Sequence, residues 1–313
     1  MLPAHAVFLK SQRGDSVMSV DIAFITVNYN TLDCVKHLAD FFSELDVPFT
    51  FSFTVVDNHS TDGSQEFLES RADIEYFQTG ENLGYGRGMN GGVAATAGKY
   101  VCVLNTDVIL NRDALVRLWR FLEERPEAGV CAPRITYGDG RDQGMVFKAS
   151  LFAFYANWFA KLLAAQEKRR IARATAPVKV EGVMGAFFLI RRSAIPSPAL
   201  FDKDFFLFYE DTALAHTLKN NGVACYIVAG AAILHLGGKS GSANSVSFFY
   251  QNRYLYLKKF YGPFHARAVN FLDRVRILRK WWVYSLVSRL TSSPRIQEKQ
   301  RHYKIAWETT RLK

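Results

Sequence analysis

Apolar and polar positions follow two distinct patterns in the N-terminal part of the chain. Mainly apolar runs of strand length occur at Ile22–Asn28, Phe51–Asp57 and Tyr100–Asn105. After such runs, apolar residues recur every third or fourth position, as in Leu32–Leu45 and Arg112–Glu124, which is the spacing of an amphipathic helix. Strands that alternate with segments of helix length predict βαβ units and a largely parallel sheet.

The same patterns predict the elements in the rest of the chain. A short strand is expected near Ile74–Phe77, then a glycine-rich turn with a small helix through Val93–Ala97, and a further strand over Val130–Ile135. Residues 136–180 are less regular and contain an aromatic, then basic, helical stretch, whereas residues 181–236 return to the α/β pattern. Since parallel α/β sheets bind ligands at the carboxyl ends of their strands, candidate site residues are expected there.

Composition excludes several classes of protein. With 25 Phe, 14 Tyr and 5 Trp among 313 residues, the chain can bury a sizeable core, which excludes a mainly disordered protein. No apolar run approaches the roughly 20 residues that span a bilayer, and the N-terminal segment lacks the apolar core of a secretory signal. The four cysteines are scattered without a CxxC pair, which predicts a reduced, cytosolic chain without structural zinc.

Positive charge is concentrated at the C-terminus. Residues 258–313 contain 14 Lys and Arg against 3 Asp and Glu, whereas the rest of the chain holds 25 basic and 26 acidic side chains. Such a tail suits an anionic surface, either nucleic acid or a membrane leaflet. Residues 265–290 also carry an apolar stripe at helical spacing, formed by Ala268, Phe271, Val275, Leu278, Trp282 and Leu286. A basic amphipathic helix predicts membrane binding; the alternatives are a solvated face, or a stripe packed on the catalytic domain or on a second subunit, which leaves a homo-oligomer open.

Two loops offer contacts for a nucleotide. Asp57 closes its strand in VVDNHSTDGS, where a carboxylate can accept hydrogen bonds from a base or ribose, although an ordinary Asx turn explains the pattern better when it is taken alone. In GENLGYGRGMNGG, the spacing of Gly84, Gly86 and Gly88 is not the dinucleotide fingerprint. These glycines do permit close backbone approach to a ligand, and Arg87 can then meet a phosphate or a base edge.

Three further segments carry candidate chemistry at strand ends. In VCVLNTDVIL, Asn105 and Asp107 suit a divalent cation bound to a diphosphate, because Mg²⁺ and Mn²⁺ complete their coordination with phosphate oxygens and water. A simple turn is the alternative. His235 ends another predicted strand, at the same sheet edge as Asp107, and Lys239 follows in a glycine loop; a lone histidine is more often structural.

Glu210 and Asp211 open a predicted helix directly after the aromatic-rich run Phe205–Tyr209. Acids at a helix N-terminus ordinarily cap the helix and interact with its dipole. An apolar, aromatic pocket can also desolvate a carboxylate, raise its pKa and let it act as a general base.

In this order, eight segments resemble glycosyltransferase family 2, which has the GT-A fold, and within it the rhamnosyltransferase-like branch. They cover roughly residues 21–260 and read VNYN, VVDNHSTDGS, ENLGYGRGMN, LNTDV, GAFFLIRR, FFLFYEDTALAHTLKNNG, LHLGGKS and FFYQNRYLYLKKFYG. The resemblance implies a Rossmann-like, mostly parallel central sheet flanked by helices. It also implies an inverting transfer of a sugar from a nucleotide diphosphate to an acceptor hydroxyl.

Roles for individual residues follow from the resemblance. LNTDV occupies the metal-binding DXD position with Asn105 in place of the first acid, which leaves Asp107, helped by His235, to bind Mg²⁺ or Mn²⁺. Asp211 occupies the position of the catalytic base in the family's ED motif. With Arg87 added from the glycine-rich loop, the residues assigned to the nucleotide sugar are Asn28, Tyr29, Asp57, Asn82, Gly84, Arg87, Asn90, Asn105, Asp107 and Lys239.

The implied organisation is an N-terminal extension over residues 1–19, a GT-A catalytic domain over residues 20–245 and a helical, basic region over residues 246–313. The branch favours dTDP-L-rhamnose as the donor, with a glycan or a polyprenyl-diphosphate-linked sugar as the acceptor in cell-surface polysaccharide biosynthesis. Together with the basic tail, this predicts a cytoplasmic enzyme bound peripherally to the inner membrane.

Two other functions stay open from the sequence. A sugar nucleotidyltransferase also combines an α/β domain with a metal-bound Asp, but it normally has a basic, glycine-rich loop after the first strand, which VNYNTLD lacks. A non-catalytic nucleic-acid-binding protein would account for the basic tail. No segment resembles a nucleic-acid-binding motif, and the aromatic residues lie in apolar core segments, so we expect no nucleic-acid partner.

Overall fold

The computed structural model describes residues 20–143, 151–237 and 245–311. The extension predicted over residues 1–19 and the candidate residue Lys239 lie outside the described residues. Contacts divide the described chain into two compact units. The first comprises residues 20–143, 161–204 and 210–237, and the second comprises residues 151–160, 205–209 and 245–311. The catalytic-domain boundary at residue 245 stays a prediction.

Strands and helices alternate through much of the described chain. The strands are β1 (Val20–Asn28), β2 (Phe51–Asp57), β3 (Glu75–Gln78), β4 (Gly98–Leu104), β5 (Val108–Ile109), β6 (Ala128–Thr136), β7 (Val178–Val180), β8 (Phe187–Arg191) and β9 (Ala224–His235). The helices are α1 (Leu32–Ser43), α2 (Ser64–Glu69), α3 (Tyr85–Ala95), α4 (Arg112–Glu124), α5 (Leu151–Tyr155), α6 (Asn157–Arg173), α7 (Glu210–Asn220), α8 (Ser245–Tyr261), α9 (Pro263–Leu290) and α10 (Pro294–Arg311).

All the strands named above form one sheet in the order β3-β2-β1-β4-β8-β6-β9-β5, with β7 paired to β9. The pairs β3–β2, β2–β1 and β1–β4 are parallel, which confirms the predicted βαβ units. Beyond β4 the sheet is mixed, because β8 runs antiparallel to both of its neighbours, β4 and β6. Helical segments flank this sheet, as the α/β pattern predicts.

β1 lies inside the sheet and is buried on both faces, which explains its continuously apolar sequence. Ile22 and Phe24 face the core that contains α1 and α4. Ile25 and Val27 face the opposite core, which contains α3 and α7. Because successive side chains of a strand point to opposite faces, one apolar run supplies both cores. The carboxyl end of β1 is thereby fixed from both sides, and Asn28 stands at that end.

The glycine-rich segment is helical, which the sequence did not predict. We expected a turn followed by a small helix through Val93–Ala97, whereas α3 already begins at Tyr85 and ends at Ala95. A Cβ atom on Gly92 would lie 2.5 Å from Ile25 Cγ2, and one on Gly88 would lie 3.1 Å from Val27 Cγ1. Glycine lowers helix propensity, but here it lets the helix lie directly on β1, so tertiary packing outweighs the local preference.

The second unit is helical and contains α5, the start of α6 and α8 to α10. α9 buries one face, formed by Ala266, Val269, Asp273 and Ile277. Asp273 accepts hydrogen bonds from Arg253 Nε at 2.6 Å and from Arg276 Nη1 at 3.3 Å, so this buried carboxylate is paired. No helix in the described part of the chain combines the length and apolar character that a membrane crossing requires.

α9 also carries an exposed apolar face, which we call the apolar ridge: Phe264, Phe271, Val275, Trp282, Leu286 and Leu290. Each of these side chains is more than half exposed. At 100° per residue, the ridge lies about 180° from the buried face of the same helix. Of the stripe predicted from the sequence, Ala268 and Leu278 are half-buried and the other four residues belong to the ridge. The ridge is therefore uncovered by any described residue.

Candidate active site

The carboxyl ends of β1 and β2 meet side by side, where Asn28 and Asp57 are register partners. Asn28 Nδ2 donates to Asp57 Oδ1 at 2.7 Å, and the Ser60 hydroxyl donates to the same oxygen at 2.6 Å. The Ser60 amide donates to Asp57 Oδ2 at 3.0 Å, which is the Asx turn that we considered as the alternative. Asp57 is fully buried, and Tyr29 next to Asn28 is 49% exposed. The contact of Asp57 with a nucleotide base stays a prediction.

Asn58 connects this strand end to the glycine-rich loop, a role that was not predicted from the sequence. Its Nδ2 donates to Asn82 Oδ1 at 3.0 Å and to the Gly84 carbonyl at 3.2 Å. The Leu83 amide donates to Asn58 Oδ1 at 3.0 Å. Asn58 is buried and lies next to Asp57, so its position at a strand end was the signal available in the sequence. The structure thus brings Asn82 and Gly84 to the end of β2.

The two remaining candidates on α3 bond to the backbone of a neighbouring segment. Asn90 Nδ2 donates to the Phe201 carbonyl at 2.7 Å, and its Oδ1 accepts from the Phe201 amide at 2.8 Å. Arg87 Nε donates to the Lys203 carbonyl at 2.8 Å, while the rest of its side chain is exposed. Asn90 therefore has a structural role in holding this segment, and the assignment of both residues to the nucleotide sugar stays a prediction.

Asp107 and His235 lie together, as their predicted positions at one sheet edge require. β5 pairs with the end of β9, and His235 Nε2 is 3.1 Å from Asp107 Oδ1. Burial acts to raise the pKa of Asp107, but the hydrogen bond and charge of His235 hold it below its ordinary value. Asn105 Nδ2 lies 3.5 Å from the same His235 nitrogen. The strand ends of LNTDV and LHLGG therefore form one polar cluster.

Gln143 fixes the orientation of the His235 ring, a contact that local patterns do not reveal. Gln143 Nε2 donates to the His235 carbonyl at 2.7 Å, so its Oε1, which is 2.7 Å from Nδ1, accepts the proton of that ring nitrogen. Nε2 then faces the Asp107 carboxylate at 3.1 Å, a distance that either a hydrogen bond from the ring or a shared metal ion would explain.

The donor set fits an octahedral cation. Two ligands that bind Mg²⁺ at right angles and about 2.1 Å each lie about 3 Å apart, close to the observed 3.1 Å between Asp107 Oδ1 and His235 Nε2. In the described ranges, no group of three or more His, Cys, Asp or Glu side chains converges as a metal site. A cation at this pair would need ligands from elsewhere, such as the oxygens of a bound diphosphate and water.

Asp211 lies at the start of α7, and its carboxylate accepts three hydrogen bonds. The Gly185 amide donates to Asp211 Oδ2 at 3.2 Å, and the Thr212 amide and hydroxyl donate to Oδ1 at 2.6 and 3.2 Å. Desolvation raises the pKa of Asp211, and these hydrogen bonds oppose the rise. A half-buried carboxylate with a raised pKa can act as a general base.

A short segment joins the base to the polar cluster. Gly185 donates to Asp211, and the carbonyl of the next residue, Ala186, accepts a hydrogen bond from the Asn105 amide at 2.9 Å. Two residues before β8 thus bridge the start of α7 and the end of β4. The structure brings the predicted base and the predicted cation ligands to the same end of the sheet.

Comparison with known proteins identifies the family. The sequence model of "Glycosyl transferase family 2" matches residues 25–196, which is more than half of the chain. This chain belongs to glycosyltransferase family 2. The predicted recognition is confirmed, and the family match supports a glycosyltransferase over both the nucleotidyltransferase and the nucleic-acid-binding alternatives.

Two sequence relatives indicate the branch of family 2 to which this chain is similar. An N-acetylglucosaminyl-diphospho-decaprenol L-rhamnosyltransferase of Mycobacterium tuberculosis is 27% identical over 229 residues, which are 66% of this chain and 74% of the relative. A low-salt glycan biosynthesis hexosyltransferase of Haloferax volcanii is 23% identical over 214 residues, which are 65% of this chain and 63% of the relative. The chain is therefore a rhamnosyltransferase-like member of family 2.

Solved structures confirm the GT-A fold of this glycosyltransferase. A mannosyltransferase from Pyrobaculum calidifontis, in complex with GDP-mannose and Mn²⁺, has a TM-score of 0.53 at 15% identity, covering 94% of this chain and 87% of its own. TarS of S. aureus, residues 1–349 in complex with UDP-GlcNAc, has a TM-score of 0.53 at 17% identity, covering 93% of this chain and 92% of its own. At these identities the likeness concerns the fold alone.

Glu210 is the first acid of the glycosyltransferase's ED motif, and no separate role was predicted for it from the sequence. It is buried, and its Oε2 has no hydrogen-bond partner among the residues that the structure describes. Desolvation, followed by the charge of Asp211, raises the pKa of Glu210 to about 8. Because an acid with a raised pKa holds its proton more tightly in the folded state, the fold should lose stability as pH rises from about 4.5 to about 8.

We expect Glu210→Gln, which mimics the protonated acid, to remove this loss. Relative to the unsubstituted protein, the variant should gain unfolding free energy by up to about 1.4 kcal/mol per pH unit across this window. Urea unfolding at pH 5, 7 and 9 measures the difference. Glu124→Gln, at an exposed position of α4, is the control that should show no such trend. A stability difference that is the same at all three pH values would contradict the prediction.

Proposed function

We propose that this chain is an inverting glycosyltransferase that moves L-rhamnose from dTDP-L-rhamnose onto a polyprenyl-diphosphate-linked sugar in cell-surface polysaccharide biosynthesis. The observation that carries the proposal is the connection of Asp211 to the Asp107–His235 pair, which runs through Gly185, Ala186 and Asn105. The choice of sugar and acceptor is supported by the mycobacterial relative, whose name describes an L-rhamnosyltransferase acting on a decaprenol-diphosphate-linked N-acetylglucosamine.

The proposed reaction is a single displacement at the anomeric carbon. A sugar hydroxyl is a weak nucleophile, so the Asp211 carboxylate accepts its proton while the new C–O bond forms. The bond between the anomeric carbon and the diphosphate breaks at the same time, and the nucleoside diphosphate leaves with the bonding electrons. One displacement inverts the configuration at that carbon, and no covalent enzyme intermediate is needed.

Asp107 and His235 would hold a Mg²⁺ or Mn²⁺ ion in this proposal. When bound, such an ion supplies positive charge that stabilises the leaving diphosphate. Gln143 keeps the His235 ring oriented, and Lys239 is assigned to the diphosphate as well. The pairing of one carboxylate with one oriented histidine compensates for the Asn105 that stands in the first position of the DXD motif.

The nucleotide would lie at the carboxyl ends of β1 and β2. We assign Asn28 and Asp57 to the floor of this pocket because both are buried and mutually bonded. Exposed Tyr29 offers a ring beside them, and Asn82 and Gly84 form the neighbouring loop. Arg87, Asn90 and Asn105 complete the proposed nucleotide-sugar residues.

We further propose that the enzyme works at the cytoplasmic face of an inner membrane and binds it through α9. The apolar ridge is exposed, and exposed Arg267, Arg279 and Arg289 accompany it along the helix. A ridge that contains Trp282 between cationic side chains suits the boundary between acyl chains and anionic headgroups. A lipid-linked acceptor would be presented at the same surface. Homo-oligomers and the absence of a nucleic-acid partner stay predictions.

Asp211→Asn removes the proposed base and keeps the shape of the side chain. We expect turnover to fall by about 10²- to 10⁴-fold, the usual contribution of a general base, while donor binding is retained. The assay is release of nucleoside diphosphate from the nucleotide sugar; release of pyrophosphate would instead indicate a nucleotidyltransferase. Glu124→Gln serves as the control. Near-normal turnover of a folded Asp211→Asn protein would remove Asp211 from the mechanism.

The proposed cation can be tested by chelation. Activity should disappear after exhaustive EDTA treatment and return with Mg²⁺ or Mn²⁺. His235→Gln should need a higher metal concentration for the same activity, because one ligand of the ion is changed. Binding of Mn²⁺ in the presence of nucleoside diphosphate, followed by electron paramagnetic resonance, gives a readout that is independent of turnover. Full activity after chelation would contradict the metal proposal.

Membrane binding can be tested with a triple variant of the apolar ridge, Phe271→Ser with Trp282→Ser and Leu286→Ser. Because each exposed side chain would contribute about 1.5–3 kcal/mol on burial, we expect co-sedimentation with anionic vesicles to fall more than about tenfold. Leu162→Ser, which changes a 48% exposed leucine of α6, is the matched control. Binding of the unsubstituted protein should rise with anionic lipid and fall with salt. Absence of sedimentation at low salt, with full activity on a water-soluble acceptor, would overturn the proposal.

A further inference from the structure

Gly185 is held at both of its backbone polar groups. Its amide donates to Asp211 Oδ2 at 3.2 Å, and its carbonyl accepts a hydrogen bond from the Tyr85 hydroxyl at 3.1 Å. Tyr85 is the first residue of α3 and directly follows Gly84, which lies at the end of β2 through its bond to Asn58. A continuous series of hydrogen bonds and covalent links therefore runs from the glycine-rich loop to the carboxylate of Asp211.

The space around Gly185 is filled on two sides. A Cβ atom built on Gly185 would lie 3.5 Å from Asp211 Cβ and 4.0 Å from Tyr85 Cε1, both ordinary van der Waals distances. The Tyr85 ring itself packs against Phe201, with ring centroids 5.9 Å apart. Gly185 is thus seated between the tyrosine and the aspartate, and a shift of the tyrosine hydroxyl would be transmitted to the amide that holds Asp211.

The charges around Tyr85 keep its hydroxyl a donor. Burial, and then the negative charges of Glu210, Asp211 and Asp107, raise the pKa of Tyr85 well above its ordinary value. The phenol therefore stays protonated at neutral pH. It cannot take the proton of the attacking sugar hydroxyl in place of Asp211. Its hydrogen is committed to the Gly185 carbonyl.

We propose that Tyr85 is a positioning residue for Asp211: through Gly185, it aims the carboxylate and couples the base to the glycine-rich loop. This inference rests on the proposed function of Asp211 as the base. A carboxylate that accepts a proton during bond formation must be held within hydrogen-bond reach of the attacking hydroxyl. Tyr85 would fulfil this requirement without touching the reacting atoms, and it would link the position of the base to the loop that we assign to the donor.

Tyr85→Phe tests the inference because it removes only the hydroxyl. We expect kcat to fall by about 3- to 10-fold, which corresponds to the loss of one neutral hydrogen bond, with KM for donor and acceptor unchanged. A looser Gly185 amide stabilises the charged form of Asp211 less, so the acid limb of the kcat profile should move to higher pH. In the Asp211→Asn background, Tyr85→Phe should cause no further loss of turnover.

Tyr76→Phe is the matched control. It also removes a buried phenol hydroxyl, but one for which the described residues provide no hydrogen-bond partner, so kcat and the pH profile should not change. Thermal unfolding of each variant verifies that the fold is retained. An unchanged kcat profile in Tyr85→Phe, or a raised donor KM with kcat intact, would overturn the positioning role. Normal turnover in Asp211→Asn would instead refute the proposed function itself, so the two failures are distinguishable.

Discussion

Burying carboxylates at the end of a sheet is costly unless donors surround them, and this constraint organises the candidate site. Asp57 accepts hydrogen bonds from the hydroxyl and the backbone amide of Ser60 and from the side-chain amide of Asn28. Asp211 meets it with backbone and side-chain donors from Gly185 and Thr212. Each carboxylate therefore requires a particular loop to be in place.

Asp107 and Glu210 meet the same constraint in different ways. Asp107 is paired with His235, whose hydrogen bond and charge hold its pKa below the ordinary value, so it stays charged. Glu210 Oε2 has no hydrogen-bond partner among the described residues, and desolvation together with the charge of Asp211 raises the pKa of Glu210 to about 8, which keeps it protonated at neutral pH. Asp211, in contrast, accepts hydrogen bonds from Gly185 and Thr212 that oppose the rise in its pKa caused by desolvation. The difference between two adjacent acids arises from their hydrogen-bond partners, not from their residue types.

Local patterns in the sequence predicted those parts of the fold that depend on local physics. The bounds of β2 and α4 agree with the prediction, because a mainly apolar run marks β2 and a period of 3.6 residues marks α4. The start of α3 was wrong, since its glycines are explained only by the side chains of β1 that lie beneath them. The antiparallel direction of β8 likewise depends on the path of the chain through the sheet, which periodicity does not encode.

The candidate site shows the same division between local and long-range information. Strand ends placed Asn28, Asp57, Asp107 and His235 at one edge, and the structure brings each pair together. Contacts that orient these residues join distant segments: Gln143 is 92 residues from His235, and Tyr85 is 100 residues from Gly185. No spacing rule covers such separations, so Gln143 and the contact between Tyr85 and Gly185 were not predicted from the sequence.

The C-terminal charge illustrates why a net count is a weak guide to surface chemistry. Arg276 belongs to the basic excess of residues 258–313, yet it is committed to buried Asp273 and to the backbone of Tyr155. The apolar stripe is ambiguous in the sequence for a different reason. α9 has apolar residues on two opposite faces, and the sequence does not show which face is buried. Since Val269 and Ile277 fill the interior, the ridge with Trp282 is left outside among Arg267, Arg279 and Arg289. This sorting, with one arginine turned inward and several left beside exposed apolar side chains, supports the proposal that α9 binds a membrane surface.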